Sequence, residues 1–166
     1  MVLRHLAALA IMAMSASLTI AAKADPIAPQ AEHCVINVRT DDVLNLREGP
    51  SARTPSQTGL RYGQCGIMVT GECRGDWCPV EDGHYAGWAH RHYLGMVSPA
   101  MYCVTGVAEG DVLNLRAWPA ANSRVLAELG PQDCGIIILP YAREGWQKVR
   151  ADGWEGWVRR SYLTGQ

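Results

Sequence analysis

Residues 42–50 read DVLNLREGP, and residues 111–119 read DVLNLRAWP. In each, the two leucines of VLNLR alternate with Asn and Arg, the period-two pattern of a strand with one buried face. The correspondence extends outward at a constant shift of 69 residues, without a gap. Cys34 falls on Cys103, Cys65-Gly66-Ile67 on Cys134-Gly135-Ile136, and Trp77 on Trp146. Further on, Gly87-Trp88 meets Gly156-Trp157, and Tyr93-Leu94 meets Tyr162-Leu163. A fixed period of this kind marks a duplicated structural unit. It sets one copy at 34–95 and the other at 103–165, with MVSPAMY (96–102) as the joint.

Each copy reads as all-β. GIMVTGEC (66–73) and GIIILPYA (135–142) are apolar, partly β-branched runs, with WCPVED (77–82) and WQKVRA (146–151) as hairpin partners. AGWAHRHYL (86–94) and EGWVRRSYL (155–163) supply the last strand and a closing turn. Ser123–Leu129 has the look of a short capped helix, but its counterpart PSQTGL contains Pro55 and Gly59, so the shared structure is a strand or loop. About five short strands in such a length curl into a small barrel, which removes exposed edges. The fold class expected is therefore two tandem small β-barrels.

Composition narrows the function. The 166 residues carry 15 basic and 16 acidic side chains, a formal charge of −1 that leaves no basic footprint for nucleic acid. With 17 Gly, 9 Pro, six Trp and six Tyr, the chain is too apolar and aromatic for disorder and favours short strands over long helices. Residues 1–24 (MVLRHLAALAIMAMSASLTIAAKA) combine Arg4, an apolar run from Leu6 to Ala22, and small residues at Ala22 and Ala24. This is the pattern of a secretory signal peptide cut before Asp25, with an uncleaved anchor as the competing reading. After cleavage no stable membrane insertion is expected. Residues 25–33 (DPIAPQAEH) read as a flexible leader.

Six cysteines in an exported chain form a disulfide framework with 15 possible complete pairings. The duplication reduces that number. Cys34 and Cys65 recur as Cys103 and Cys134, so each pair closes within its own copy. Cys73 and Cys78 stand opposite Ala142 and Gln147 and are left to pair with each other.

No catalytic constellation emerges. Cys73, Cys78, His84, His90 and His92 resemble a metal set, but oxidised cysteines cannot ligate and the second copy has Gly153, Arg159 and Ser161 at the histidine positions. Neither a GxSxG elbow, a phosphate loop nor an HExxH helix occurs. The expectation is no catalysis, no metal and no cofactor. Arg74-Gly75-Asp76 spells RGD inside a small disulfide loop, against Arg143-Glu144-Gly145 in the other copy. Asp42 and Asp111 are placed to make turn-side bonds ahead of VLNLR. Aromatic residues are the candidate ligand contacts: Trp77, Tyr85, Trp88 and Tyr93 as one cleft in the first copy, and Trp118, Trp146, Trp154 and Trp157 in the second.

The ordered set LNLREGPS, a Gly-containing apolar strand, GxW, V, GW and YL resembles the bacterial SH3 domain, and both copies fit it. The second departs at Ala117-Trp118-Pro119-Ala120, where the family favours Gly before the Pro and Ser after it. The resemblance implies a five- to seven-stranded barrel, export to the cell envelope and no catalysis of its own. It also implies a periplasmic or secreted binding role, with peptidoglycan peptide or an envelope protein as partner. A secreted protein–protein adaptor or effector, with the RGD turn as a contact, is the other reading.

Overall fold

A computed structural model describes residues 27–165; the expected signal peptide lies outside the described residues. The first copy has seven strands: β1 (Glu32–Val35), β2 (Val43–Arg47), β3 (Ser56–Arg61), β4 (Ile67–Val69), β5 (Trp77–Glu81), β6 (Ala86–His90) and β7 (Leu94–Met96). A 3-10 turn at Arg91–Tyr93 joins the last two. The second copy repeats this with β8 (Met101–Val104), β9 (Leu113–Arg116), β10 (Val125–Leu129), β11 (Ile136–Arg143), β12 (Trp146–Ala151), β13 (Trp154–Arg159) and β14 (Leu163–Gly165). The sheets run β3-β2-β6-β5-β4-β1-β7 and β10-β9-β13-β12-β11-β8-β14, so one topology is built twice. All pairings within them are antiparallel. Every strand of the first sheet, from β3 to β7, contributes to a single core that includes Val35, Leu46, Leu60, Ile67, Val80 and Leu94. The sheet therefore wraps around that core. Its terminal strands, β3 and β7, do not pair with each other, and the barrel stays open there.

The alternation in VLNLR is realised as read. Leu44 and Leu46 are buried in the first core, and Leu113 and Leu115 in the second. The outward arginines are anchors: Arg47 Nη1 donates to Thr54 O at 2.6 Å, and Arg116 Nη1 to Ser123 O at 2.7 Å. Each ties down the loop that follows its strand. Asp42 and Asp111 accept from the next backbone N–H, at 2.7 and 2.8 Å. The glycine of each Gly-Trp pair has a steric reason. A Cβ on Gly87 would lie 2.5 Å from Arg47 O, and one on Gly156 2.7 Å from Arg116 O. Those carbonyls belong to β2 and β9, whose only register pairs with β6 and β13 are Arg47↔Trp88 and Trp157↔Arg116.

Three disulfides staple the chain: Cys34–Cys65, Cys73–Cys78 and Cys103–Cys134. They mark the folded chain as a product of an oxidising, extracytoplasmic compartment. Closing a 31-residue separation stabilises by about 3–4 kcal/mol in the chain-entropy picture.

Two expectations about connecting segments need correction. Residues 27–33 do not behave as a free leader. Ile27 packs on the first core, Gln30 N donates to Val69 O at 2.8 Å, and Glu32 and His33 open β1. The joint is also shorter than 96–102, because Met96 ends β7 while Met101 and Tyr102 begin β8. Between them Val97 N bonds Glu32 O at 2.9 Å and Ser98 N bonds Ile138 O at 3.0 Å, so the crossover is held by both copies.

The two copies pack on each other through a third apolar cluster, in which Cys34 and Val97 meet Leu139 and Tyr141. Ile36, Cys65, Ile137 and Trp157 surround them. The buried Tyr141 hydroxyl donates to Val35 O at 2.7 Å, and burial pushes its phenol well above the usual range. At the margin Arg150 clamps Glu32 with two bonds, Nη1–Oε2 at 3.1 Å and Nη2–Oε1 at 2.9 Å. That guanidinium holds the Glu32 carboxyl below its ordinary range.

β11 is the element that reaches across, and its eight residues contrast with three in β4. Pro140 sits at an irregularity between Ile138 and Ala142, where a residue without N–H is tolerated. The buried Gln147 carboxamide donates to the carbonyls of Leu139 (2.7 Å) and Tyr141 (2.9 Å), which flank it. Arg160 in turn donates to Gln147 Oε1 at 2.8 Å.

Two predictions follow from this packing. Gly87→Ala forces β2 and β6 apart and should cost about 1–3 kcal/mol of stability, the usual cost of overpacking; an unchanged denaturant midpoint would refute the close-approach explanation. His33 is buried, its Nδ1 2.9 Å from Ala31 O, and burial lowers its pKa. As pH drops below 6.5, the unfolded chain takes up this proton before the folded one, so stability decreases with falling pH. Melting temperatures between roughly pH 7.5 and 5, above the carboxylate range, should fall less steeply in His33→Gln than in the parent. Equal slopes would remove His33 as the cause.

Candidate functional site

Each copy carries a groove bounded by the loop before its VLNLR strand, the strand itself and the wall formed by the fifth and sixth strands with the 3-10 turn. In the first, Asp42, Val43 and Asn45 face Trp77, His90 and Tyr93 across about 460 Å³. In the second, Asp111, Val112 and Asn114 face Trp146, Arg159 and Tyr162 across about 380 Å³. The two linings correspond position for position under the 69-residue shift. They differ only at Asn37/Gly106, Arg39/Ala108 and His90/Arg159. The loop that follows each strand contributes Ala52 or Ala121, and the Arg47 and Arg116 anchors hold that loop in place.

The wall of the first groove is a cluster of rings. His90 stands edge-to-face with Trp77 at 5.3 Å and with Tyr93 at 5.8 Å, and His92 lies 4.9 Å from Tyr93. In the second, the Arg159 guanidinium lies 4.5 Å above the Trp146 ring. The backbone path into the groove is also shared: Asn37 and Gly106 both take left-handed φ, 57° and 68°, which Asn and Gly tolerate best. Asn37 uses its side chain to donate to His92 O at 2.9 Å.

The expected four-aromatic cleft is divided by the structure. Trp77 and Tyr93 line the first groove; Tyr85 and Trp88 do not. Tyr85, 49% exposed, stands beyond the end of β5, where Asp82 Oδ1 accepts its backbone N–H at 2.8 Å. That bond holds the Asp82 carboxyl below its usual range. Trp88 is covered by the Arg74 guanidinium at 5.1 Å. In the second copy Trp146 lines its groove, whereas Trp118 (72% exposed) and Trp154 (51%) lie outside it. Trp157 packs between the copies, beside a further cleft of about 360 Å³ that includes Tyr62, Pro140 and Tyr141.

Sequence reasoning did not count Asn45, Asn114, Arg159 and Tyr162 among the ligand contacts, and it read Asp42 and Asp111 as turn residues and His90 as part of a metal-like set. The available signal was the identity of outward-facing Asn45 and Asn114, which core packing does not require. Among the residues considered for metal, Cys73 and Cys78 are tied in a disulfide and offer no thiolate. Arg74-Gly75-Asp76 forms an exposed tight turn, with Arg74 N bonded to Trp77 O at 2.7 Å and the Arg74 side chain laid over Trp88.

Residues 42–95 match the bacterial SH3 domain family. Among solved structures, NlpC2 from Trichomonas vaginalis is similar at 13% identity and a TM-score of 0.39, over 82% of this chain and 48% of that one. NlpC1 from the same organism is similar at 13% identity and a TM-score of 0.39, over 92% and 51%. The chain thus spans about half the length of these structures. No curated protein matches. Residues 42–95 are thus matched to the bacterial SH3 domain family, and the second copy repeats the strand order, the long-range disulfide and the groove of the first.

Proposed function

We propose that the protein is a non-catalytic binding protein of the periplasm or of the secreted fraction, whose paired grooves hold peptide, with the stem peptides of peptidoglycan as the ligand. One observation carries this reading: the groove linings correspond position for position and are identical at nine of twelve positions, although the loops around them have diverged. Leu44 and Leu46 repeat because a core demands them, but Asn45, between them on the groove side, repeats as Asn114 without being part of that core. Aromatic walls with a few fixed polar groups suit an extended peptide, since rings pack against its side chains while Asp and Asn meet its backbone. Two such sites on one packed body raise avidity when the ligand is polymeric. All six cysteines are in disulfides, so a thiol nucleophile plays no part.

The test uses protein spanning Asp25–Gln166, which contains every described residue, mixed with purified peptidoglycan sacculi at two salt concentrations. Saturable, salt-tolerant pelleting is expected. Ala52→Trp combined with Ala121→Trp, both at exposed loop positions, should fill the grooves and abolish pelleting while leaving the melting temperature in place. Parent protein left in the supernatant would overturn wall binding and direct attention to an envelope protein. Pelleting that survives both substitutions would remove the grooves from the reading.

A further inference from the structure

The grooves differ at three lining positions, and one of the differences changes the net charge that a ligand would meet. Asn37 and Gly106 preserve the same left-handed backbone. Arg39 is already engaged by Asp41, with Nε–Oδ1 at 2.9 Å and Nη2–Oδ2 at 2.7 Å, and the second copy has Ala108 and Gly110 in place of that pair. Arg39 and Asp41 together add no net charge to the first rim, and the second rim lacks both. Asp42 and Asp111 are common to both grooves and make the same bond to the following N–H.

Position 90/159 is where the chemistry changes. His90 Nδ1 accepts from His92 N–H at 3.3 Å, so in the neutral ring the proton sits on Nε2 and the groove meets a single uncharged donor. Arg159 brings a permanent cation. Its ring stack on Trp146 sets the plane of the guanidinium, and Nη1 spends one N–H on Glu144 O at 3.1 Å. A guanidinium has five N–H donors in a flat fork, and that fork matches a carboxylate better than any neutral group.

We propose that Arg159 makes the second groove a reader of carboxylates, a peptide C-terminus or an acidic side chain, while the first groove takes a neutral carbonyl through His90. The two copies are then non-equivalent sites on one body. This inference rests on the grooves being ligand sites, and its test separates the two ideas.

The probes are N-acetyl-D-alanyl-D-alanine and its C-terminal carboxamide, titrated at pH 8 into ¹⁵N-labelled Asp25–Gln166 protein, with the indole N–H signals of Trp77 and Trp146 as reporters. The Trp146 signal should report about tenfold tighter binding of the acid than of the amide, the margin of a charge-assisted over a neutral hydrogen bond. The Trp77 signal should respond to both probes alike. Arg159→His should erase the preference at Trp146, and His90→Arg should create one at Trp77. Equal affinities for acid and amide at Trp146, or a preference that survives Arg159→His, would overturn this inference while leaving groove binding intact. No response at either indole to either probe would overturn groove binding itself, and this inference with it.

Discussion

The fixed relation between the two copies depends on one docking event: the segment Leu139-Pro140-Tyr141 of β11 laid against Cys34 and Val35 of β1. Apolar burial supplies the attraction, and the directional contacts fix the angle. The Tyr141 hydroxyl bonds the Val35 carbonyl, and the Arg150 fork closes on Glu32. Gly95 belongs to the same device, since a Cβ there would lie 2.8 Å from the Pro140 ring. Both partners of the docking are tied to the grooves. β1 leads directly into the Asn37–Asp42 loop, and the hairpin formed by β11 and β12 places Trp146 at its turn.

The docking segment exists because the two copies closed the same hairpin differently. In the first, Thr70-Gly71-Glu72 runs irregularly, and the Cys73–Cys78 disulfide ties the hairpin together beyond it. In the second, the strand continues, and Ala142 and Gln147, the counterparts of those cysteines, are register partners in the ladder. Gln147 then satisfies the carbonyls on either side of Pro140, where an unpaired buried acceptor would cost about 1–3 kcal/mol. A covalent tie in one copy is thus matched by a buried carboxamide in the other. Leu139 and Tyr141 of the longer strand form the interface.

Much of this fold was legible because a duplication lets each copy check the other. The three cysteine pairings and the rejection of a helix at Ser123–Leu129, in favour of a strand or loop, came from that comparison. The interface was hidden because Ile137, Leu139 and Tyr141 look like any apolar strand, and no local pattern says that a strand's outer face meets a second body. His33 was hidden for a related reason: a polar residue after two prolines reads as loop, and only its pairing with Ile67 and Met96 shows that it is core. The grooves were half legible. Trp77, Tyr93 and Trp146 stood out as large aromatics, while Asp42 and Asn45 were discounted as turn and surface residues. Trp118 and Tyr85 drew attention for exposure alone, which does not bring residues together.

The docking also joins two different surfaces, β11 of one copy to β1 of the other, and a head-to-tail contact of that type is the kind that can propagate without limit. Here the surfaces that a second step would need differ in sequence from those of the first. At the free end of the first copy, the positions matching Leu139, Pro140 and Tyr141 are Thr70, Gly71 and Glu72, which offer no docking segment. At the free end of the second, the positions matching Glu32, Ile36 and Tyr62 are Met101, Thr105 and Pro131. The receiving surface there has lost its carboxylate clamp, its branched apolar side chain and its aromatic ring. The two copies thus form a complementary pair whose outer faces lack the residues of the inner contact.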